Sequence, residues 1–180
     1  MPFLKSVPDN ARPSTILKKF PDSGSLIMEF TEKLLRGKSS LTPAQRELIA
    51  AYTSGLNTCR FCCQTHAATA EALGVEKGLI DNLVEDIESA EIEPEMKPVL
   101  RYVEKLTRSP ARMTQEDADA VFQAGWDEDA FYHIVSICGL FNYYNRLIEG
   151  YGIKSAPEYR DHIGQRLAEE GYSTALQYND

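Results

Sequence analysis

Apolar side chains recur every three or four residues through almost the whole of this 180-residue chain, and no stretch alternates polar and apolar residues over the length of a strand. A chain patterned this way buries its apolar stripes by packing helix on helix. The sequence therefore predicts an all-α fold of seven or eight short helices. Local punctuation agrees with the period. In SGSLIMEFTEKLLRG, residues Leu26, Ile27, Phe30 and Leu34 fall on one side. In LTPAQRELIAAYTSGLN, Thr42 can cap, Pro43 suits the first helical position and Gly55 can close the helix in a left-handed conformation. The next segment is expected to be capped by Asn57 or Thr58 and to stop at Gly74. Further helices are expected around Leu79, Ile80, Leu83 and Ile87, around Val99, Val103 and Leu106, from Thr114 to Gly125, and up to Gly150. Residues 1–22, with prolines at 2, 8, 13 and 21, read as an irregular arm, and 155–180 as a helical tail.

With 43% hydrophobic residues, the chain has enough apolar material for one core spanning 1–180, without a second domain. Nineteen basic against twenty-seven acidic residues give a net charge of −8, the wrong sign for following a phosphate backbone, so nucleic acid is not an expected partner. No run of eighteen apolar residues and no cleavable leader is visible, so the reading is a soluble, cytoplasmic protein with no membrane partner. In a reducing compartment, clustered thiols point to catalysis or metal binding rather than to a structural disulfide.

Such a cluster exists in TCRFCCQTHAATAEALG, residues 58–74. Cys59, Cys62 and His66 are three and then four residues apart, so on a helix they share one face. A thiol in the first turn feels the positive end of the helix, which favours the thiolate, and Cys62 reads as the better-placed and more acidic candidate. A second cysteine one turn away can attack an oxidised sulfur and close a disulfide. His66 can exchange a proton with Cys62. Glu47, set among Ala44, Ala50, Ala51 and Ser54, can be carried to His66 or Cys62 by a helical hairpin. Zinc binding and plain core packing are the other readings of the cluster. A structural zinc site, however, needs a second Cys/His pair at metal spacing, which is not present.

Glu47 followed by Cys59-x-x-Cys62-x-x-x-His66, within RELIAAYTSGLNTCRFCCQTHAATAEALG, resembles the alkylhydroperoxidase D (AhpD) core of the carboxymuconolactone decarboxylase superfamily. The later FNYYNRLIEGYGI is similar to the asparagine/arginine segment of its peroxidase-related branch. The resemblance implies the AhpD-like helical fold, assembly into homo-oligomers, and peroxiredoxin-type reduction of hydroperoxides at the expense of a thiol reductant or reductase, with no bound cofactor or metal. In that scheme the catalytic residues are Glu47, Cys59, Cys62 and His66. Cys62 attacks the peroxide, Cys59 resolves the sulfenic acid, and Glu47 with His66 relays the proton. The best-known members carry a second histidine just before the second cysteine, where this chain has Phe61. Decarboxylases of the superfamily generally lack the cysteine pair, so lactone decarboxylation is disfavoured. A structural or binding module with little peroxidase activity, or a zinc-binding helical protein, is the alternative.

Elsewhere, Cys63 reads as filler, and Cys138 as core beside Phe131, Ile134, Val135 and Phe141. His133 lies off that stripe, and neither it nor His162 is given a role. Asn142, Asn145 and Arg146 suggest a buried polar network or a subunit contact. The tyrosines, Tyr143, Tyr144, Tyr151 and Tyr172 among them, fit an oligomer interface.

Overall fold

A computed structural model describes residues 1–154 and 157–174, so the expected tail at 155–180 lies partly outside the described residues. Among the described residues there are nine α-helices and no strand. They are α1 (Pro13–Lys19), α2 (Pro21–Arg36), α3 (Pro43–Leu56), α4 (Arg60–Ala72), α5 (Leu79–Glu85), α6 (Met96–Arg108), α7 (Gln115–Gln123), α8 (Glu128–Gly150) and α9 (Pro157–Glu170), with a 3-10 turn at Pro110–Arg112. No helix among them is long and apolar enough to cross a membrane.

The number exceeds expectation because part of the arm is helical. Pro13 opens α1 at its first turn, and the Arg12 N–H donates to Thr15 Oγ1 at 3.1 Å. The start of α3 follows the sequence: Thr42 Oγ1 accepts from Gln45 N–H while the Gln45 side chain accepts from Thr42 N–H. Its end does not. The helix runs through Gly55 to Leu56, and the left-handed residue of the turn is Thr58, at φ 56°. Gly55 serves packing instead, since a Cβ there would sit 2.5 Å from Val84 Cγ2.

A second correction concerns α2. Leu26 is 68% and Phe30 41% exposed, while Gly24, Met28, Thr31, Leu34 and Leu35 are buried. The buried face includes Gly24 and Thr31, which carry little apolar signal, so the exposed Leu26/Phe30 row read as the stripe. The carbonyls of Leu34 and Gly37, where α2 ends, are satisfied by the buried Arg46 guanidinium of α3, at 3.0 and 2.8 Å.

The α3–α4 hairpin is the centre of the molecule, with α8 against α3 and α9 lying along α4. Small residues allow that last approach: a Cβ on Gly164 of α9 would come within 2.7 Å of Ala68 Cβ on α4. The main core unites α2, α3, α5, α6 and α8, and a smaller apolar cluster gathers Ile16, Phe61, Ile148 and Ile153 around the cysteine pair.

Candidate active site

The helix carrying the cysteines begins later than expected, at Arg60, so Cys59 occupies the cap and Cys62 the third helical position. The left-handed Thr58 brings the chain round after α3, and Cys59 N–H donates to Ser54 O at 3.0 Å. Both thiols are free. They face different surroundings. Cys59 is wholly buried, whereas Cys62, 4% exposed, lines a mainly apolar chamber of about 100 Å³ together with Phe61, His66, Phe141, Tyr144 and Tyr172.

The acidity order reverses the sequence expectation. A hydrogen bond from Cys62 holds the Cys59 thiol below its ordinary value despite burial, helped by the Cys62 backbone N–H, which points toward Cys59 without completing a cap. The same contact and burial push Cys62 well above the ordinary range, with Asn145 as an opposing hydrogen-bond partner. The physical cause is the direction of the bond between the two thiols: Cys62 donates and Cys59 accepts, so the pair releases its first proton from Cys59.

The structure brings Glu47 and His66 together. Glu47 is completely buried on α3, and its Oε2 accepts from His66 Nδ1 at 2.7 Å. A carboxylate only accepts, so Nδ1 carries the hydrogen and Nε2 is the ring's remaining basic atom. The other oxygen, Oε1, is held by two groups that sequence reasoning missed. Arg36 Nη2 of α2 stands 2.6 Å away, and the Tyr172 hydroxyl donates to it at 2.7 Å. Burial pushes the Glu47 carboxyl up, but His66, Arg36 and Tyr172 together outweigh it and hold the group below the ordinary carboxylate range. Tyr172, buried beside that charge, is pushed well above the usual phenol value and so remains a donor.

Tyr172 is therefore part of the site rather than an exposed interface residue, and Tyr144 is likewise buried, its hydroxyl 2.8 Å from Thr31 Oγ1. The one sequence signal for Arg36 is its spacing from Glu32, four residues earlier. Glu32 accepts from the backbone N–H groups of Tyr172 and Ser173, while Arg36 donates to Leu167 O. Tyr172 has no local signal at all.

Around the site the polar network expected near the end of α8 is present. Asn57 donates to both Asn142 and Asn145, and Asn145 donates to Ser54 Oγ at 3.0 Å. Cys63 lies near Gly55, its thiol pushed up to about 11 mainly by burial. Cys138 is core, 3.3 Å from Thr107 Oγ1. His133, expected off the stripe, is buried, with Nδ1 on Asp129 O at 2.8 Å. No group of three or more metal-ligating side chains is gathered among the described residues.

Residues 21–105 match the model of the Carboxymuconolactone decarboxylase family. The chain is 29% identical over 133 residues to the uncharacterized protein YdfG of Bacillus subtilis (strain 168), covering 74% of this chain and 90% of that one. Its fold is similar to that of an uncharacterized peroxidase-related protein with an alkylhydroperoxidase AhpD core from Ralstonia eutropha JMP134, with a TM-score of 0.76, 22% identity, and coverage of 84% of this chain and 79% of the other. It is also similar to an uncharacterized peroxidase-related protein from Silicibacter sp. TM1040, with a TM-score of 0.74, 24% identity, and coverage of 81% and 78%. The architecture is the AhpD-like helical fold.

Proposed function

We propose that this chain, whose residues 21–105 match the Carboxymuconolactone decarboxylase family model and whose fold is AhpD-like, is a thiol-dependent oxidoreductase that reduces hydroperoxides through Cys59 and Cys62. The observation that carries this reading is a pair of free thiols in mutual contact, one of them lining an apolar chamber beside a histidine anchored to a buried carboxylate. The descriptions of the two solved neighbours as peroxidase-related support it.

A hydroperoxide entering the chamber meets Cys62 and not Cys59, so Cys62 is the attacking sulfur despite its higher proton affinity. His66 Nε2 takes the Cys62 proton as general base. The thiolate attacks the terminal oxygen of R–O–O–H. An S–O bond forms, the O–O bond breaks, and the departing alkoxide takes a proton from the imidazolium to leave as alcohol. Cys62 is now a sulfenic acid. Cys59, the more acidic thiol, then attacks that sulfur as a thiolate and expels hydroxide, which is protonated to water. A Cys59–Cys62 disulfide results. An external dithiol or a reductase supplies the two electrons and two protons that restore the pair, so the chemistry requires no bound cofactor. Phe61 contributes apolar wall where a second histidine would have offered another proton carrier. We place the cycle in a reducing compartment, the cytoplasm, in a self-associating protein.

The burial and raised proton affinity of Cys62 favour a second reading, an AhpD-like binding module with little turnover. Stoichiometric organic hydroperoxide separates the two. We expect the wild-type protein to lose two thiols to a Cys59–Cys62 disulfide and to consume further peroxide once a dithiol reductant is present. Cys62→Ser is expected to consume none, and Cys59→Ser to stop at a sulfenic acid that dimedone traps. A wild-type protein that forms no disulfide under these conditions refutes the peroxidase reading.

A further inference from the structure

The two oxygens of Glu47 have different tasks. Oε2 touches His66 Nδ1, while Oε1 receives Arg36 Nη2 at 2.6 Å and the Tyr172 hydroxyl at 2.7 Å; the hydroxyl oxygen also lies 3.2 Å from Nδ1, where it can only accept because its hydrogen is on Oε1, whereas Arg36 reaches His66 through Glu47 alone. These two donors also touch each other, since Arg36 Cζ lies over the Tyr172 ring at 5.1 Å. The Tyr172 ring stacks beside the imidazole with centroids 6.2 Å apart and an interplanar angle of 15°. Both donors are also anchored by groups other than Glu47. Arg36 donates to Leu35 O and Leu167 O, and the Tyr172 backbone is held by Glu32.

We infer that Tyr172 and Arg36 are positioning residues that act through Glu47, saturating Oε1 so that Oε2 fixes His66 in the Nδ1–H form with Nε2 as the base. The inference rests on the peroxidase reading for its consequence in turnover, but its structural content concerns His66 alone.

The effect is electrostatic. A buried carboxylate with a single partner demands a full counter-charge from that partner, and an imidazole would supply it by becoming imidazolium. An imidazolium is not a base. Arg36 supplies the positive charge and Tyr172 a further donor, so His66 can satisfy Oε2 with an ordinary N–H. The titratable and charged groups facing His66 are Glu47 from α3, Arg36 from α2, Tyr144 from α8, Arg166 from α9, Tyr172 beyond α9 and Cys62 on its own helix. Of these, Arg36 and Tyr172 bond to the free side of Glu47. Tyr172 cannot shuttle protons, because burial beside Glu47 keeps its hydroxyl protonated. It acts as a fixed donor.

Removing one donor from Oε1 leaves more of the negative charge for His66 to neutralise, so the imidazolium form gains and its midpoint rises. Long-range ¹H–¹⁵N spectra of the histidine rings across pH 5–9, in the full chain without peroxide, read this directly. We expect Nδ1–H for His66 in the wild-type protein. In Tyr172→Phe, which keeps the stacked ring, the His66 midpoint is expected to rise by about one pH unit, the equivalent of one hydrogen bond to a charged group. The rate of peroxide-driven Cys62 oxidation at pH 7 should fall by up to about ten-fold and recover at higher pH. Arg36→Lys, which retains the cation but loses the fork, should move the midpoint in the same direction. A wild-type protein inert to peroxide whose His66 midpoint still rises in Tyr172→Phe would refute the peroxidase reading and leave the clamp standing. An unchanged tautomer and midpoint in a folded Tyr172→Phe protein would overturn the clamp.

Discussion

Glu47 is a charge taken wholly out of water, and its neighbours determine whether the fold tolerates it. Desolvation alone would raise the carboxyl, but its three partners hold it below the ordinary range. The folded group therefore releases its proton at lower pH than the unfolded one. Its contribution to stability is present above the unfolded value, about pH 4, and is lost as pH falls through the lower folded value. Glu47→Gln leaves the Arg36 guanidinium opposite a neutral amide and is expected to destabilise the protein by about 3–5 kcal/mol at pH 7. In urea denaturation the gap to wild type should narrow as pH drops below about 4. A gap independent of pH would mean that the carboxylate's charge contributes nothing. Glu47, Cys59, Cys62 and His66 could be picked out in the sequence because the cysteines and histidine share one helix and the glutamate sits in an alanine-rich stretch one hairpin away. Arg36 and Tyr172 could not, since their meeting point depends on where α2 and the segment after α9 come to rest.

At the scale of the element, capping side chains and glycine stops located most helices, while the buried face of α2 and the end of α3 were not readable. Two rows of apolar residues compete on α2, and which one is buried depends on α8, whose Tyr144 hydroxyl bonds to Thr31. The α3–α4 turn puts its left-handed residue at Thr58 rather than at a glycine, so composition gave no warning of it. One close helix contact is the crossing of α9 on α4, where a Cβ on Gly164 would also lie 2.8 Å from the Ala68 backbone carbon. Backbone cannot yield as a flexible side chain can. Gly164→Ala should therefore cost about 1–3 kcal/mol of unfolding free energy, measured by urea titration, and Ala68→Gly should restore only part of it. Full restoration would assign the crowding to the Ala68 methyl alone.

For the whole molecule, the exposed apolar residues of α2 matter most. Phe20, Leu26 and Phe30 sit in or beside one helix and remain in water in the single chain. They, with the exposed Tyr143, are where we expect a second copy to dock, since Tyr144 and Tyr172 are buried. Light scattering at low micromolar concentration should give a mass above 20.2 kDa. Leu26→Glu with Phe30→Glu should return the protein to that mass with its helicity intact. A wild-type monomer would remove self-association from the reading.

The hydroxyl on Glu47 arrives from 125 positions along the chain, and the carboxylate of Glu32 that holds its backbone from 140. The α3–α4 hairpin, by contrast, joins neighbours in sequence. Closing so long a span costs chain entropy that the hairpin does not incur, and contacts of that reach form late. On this reasoning the thiol pair, its carboxylate and its imidazole are expected to assemble early and the phenol to dock near the end of folding. The two free sulfurs would then stand side by side before their base is tuned, so that becoming folded and becoming reactive would be separate events in the life of the chain.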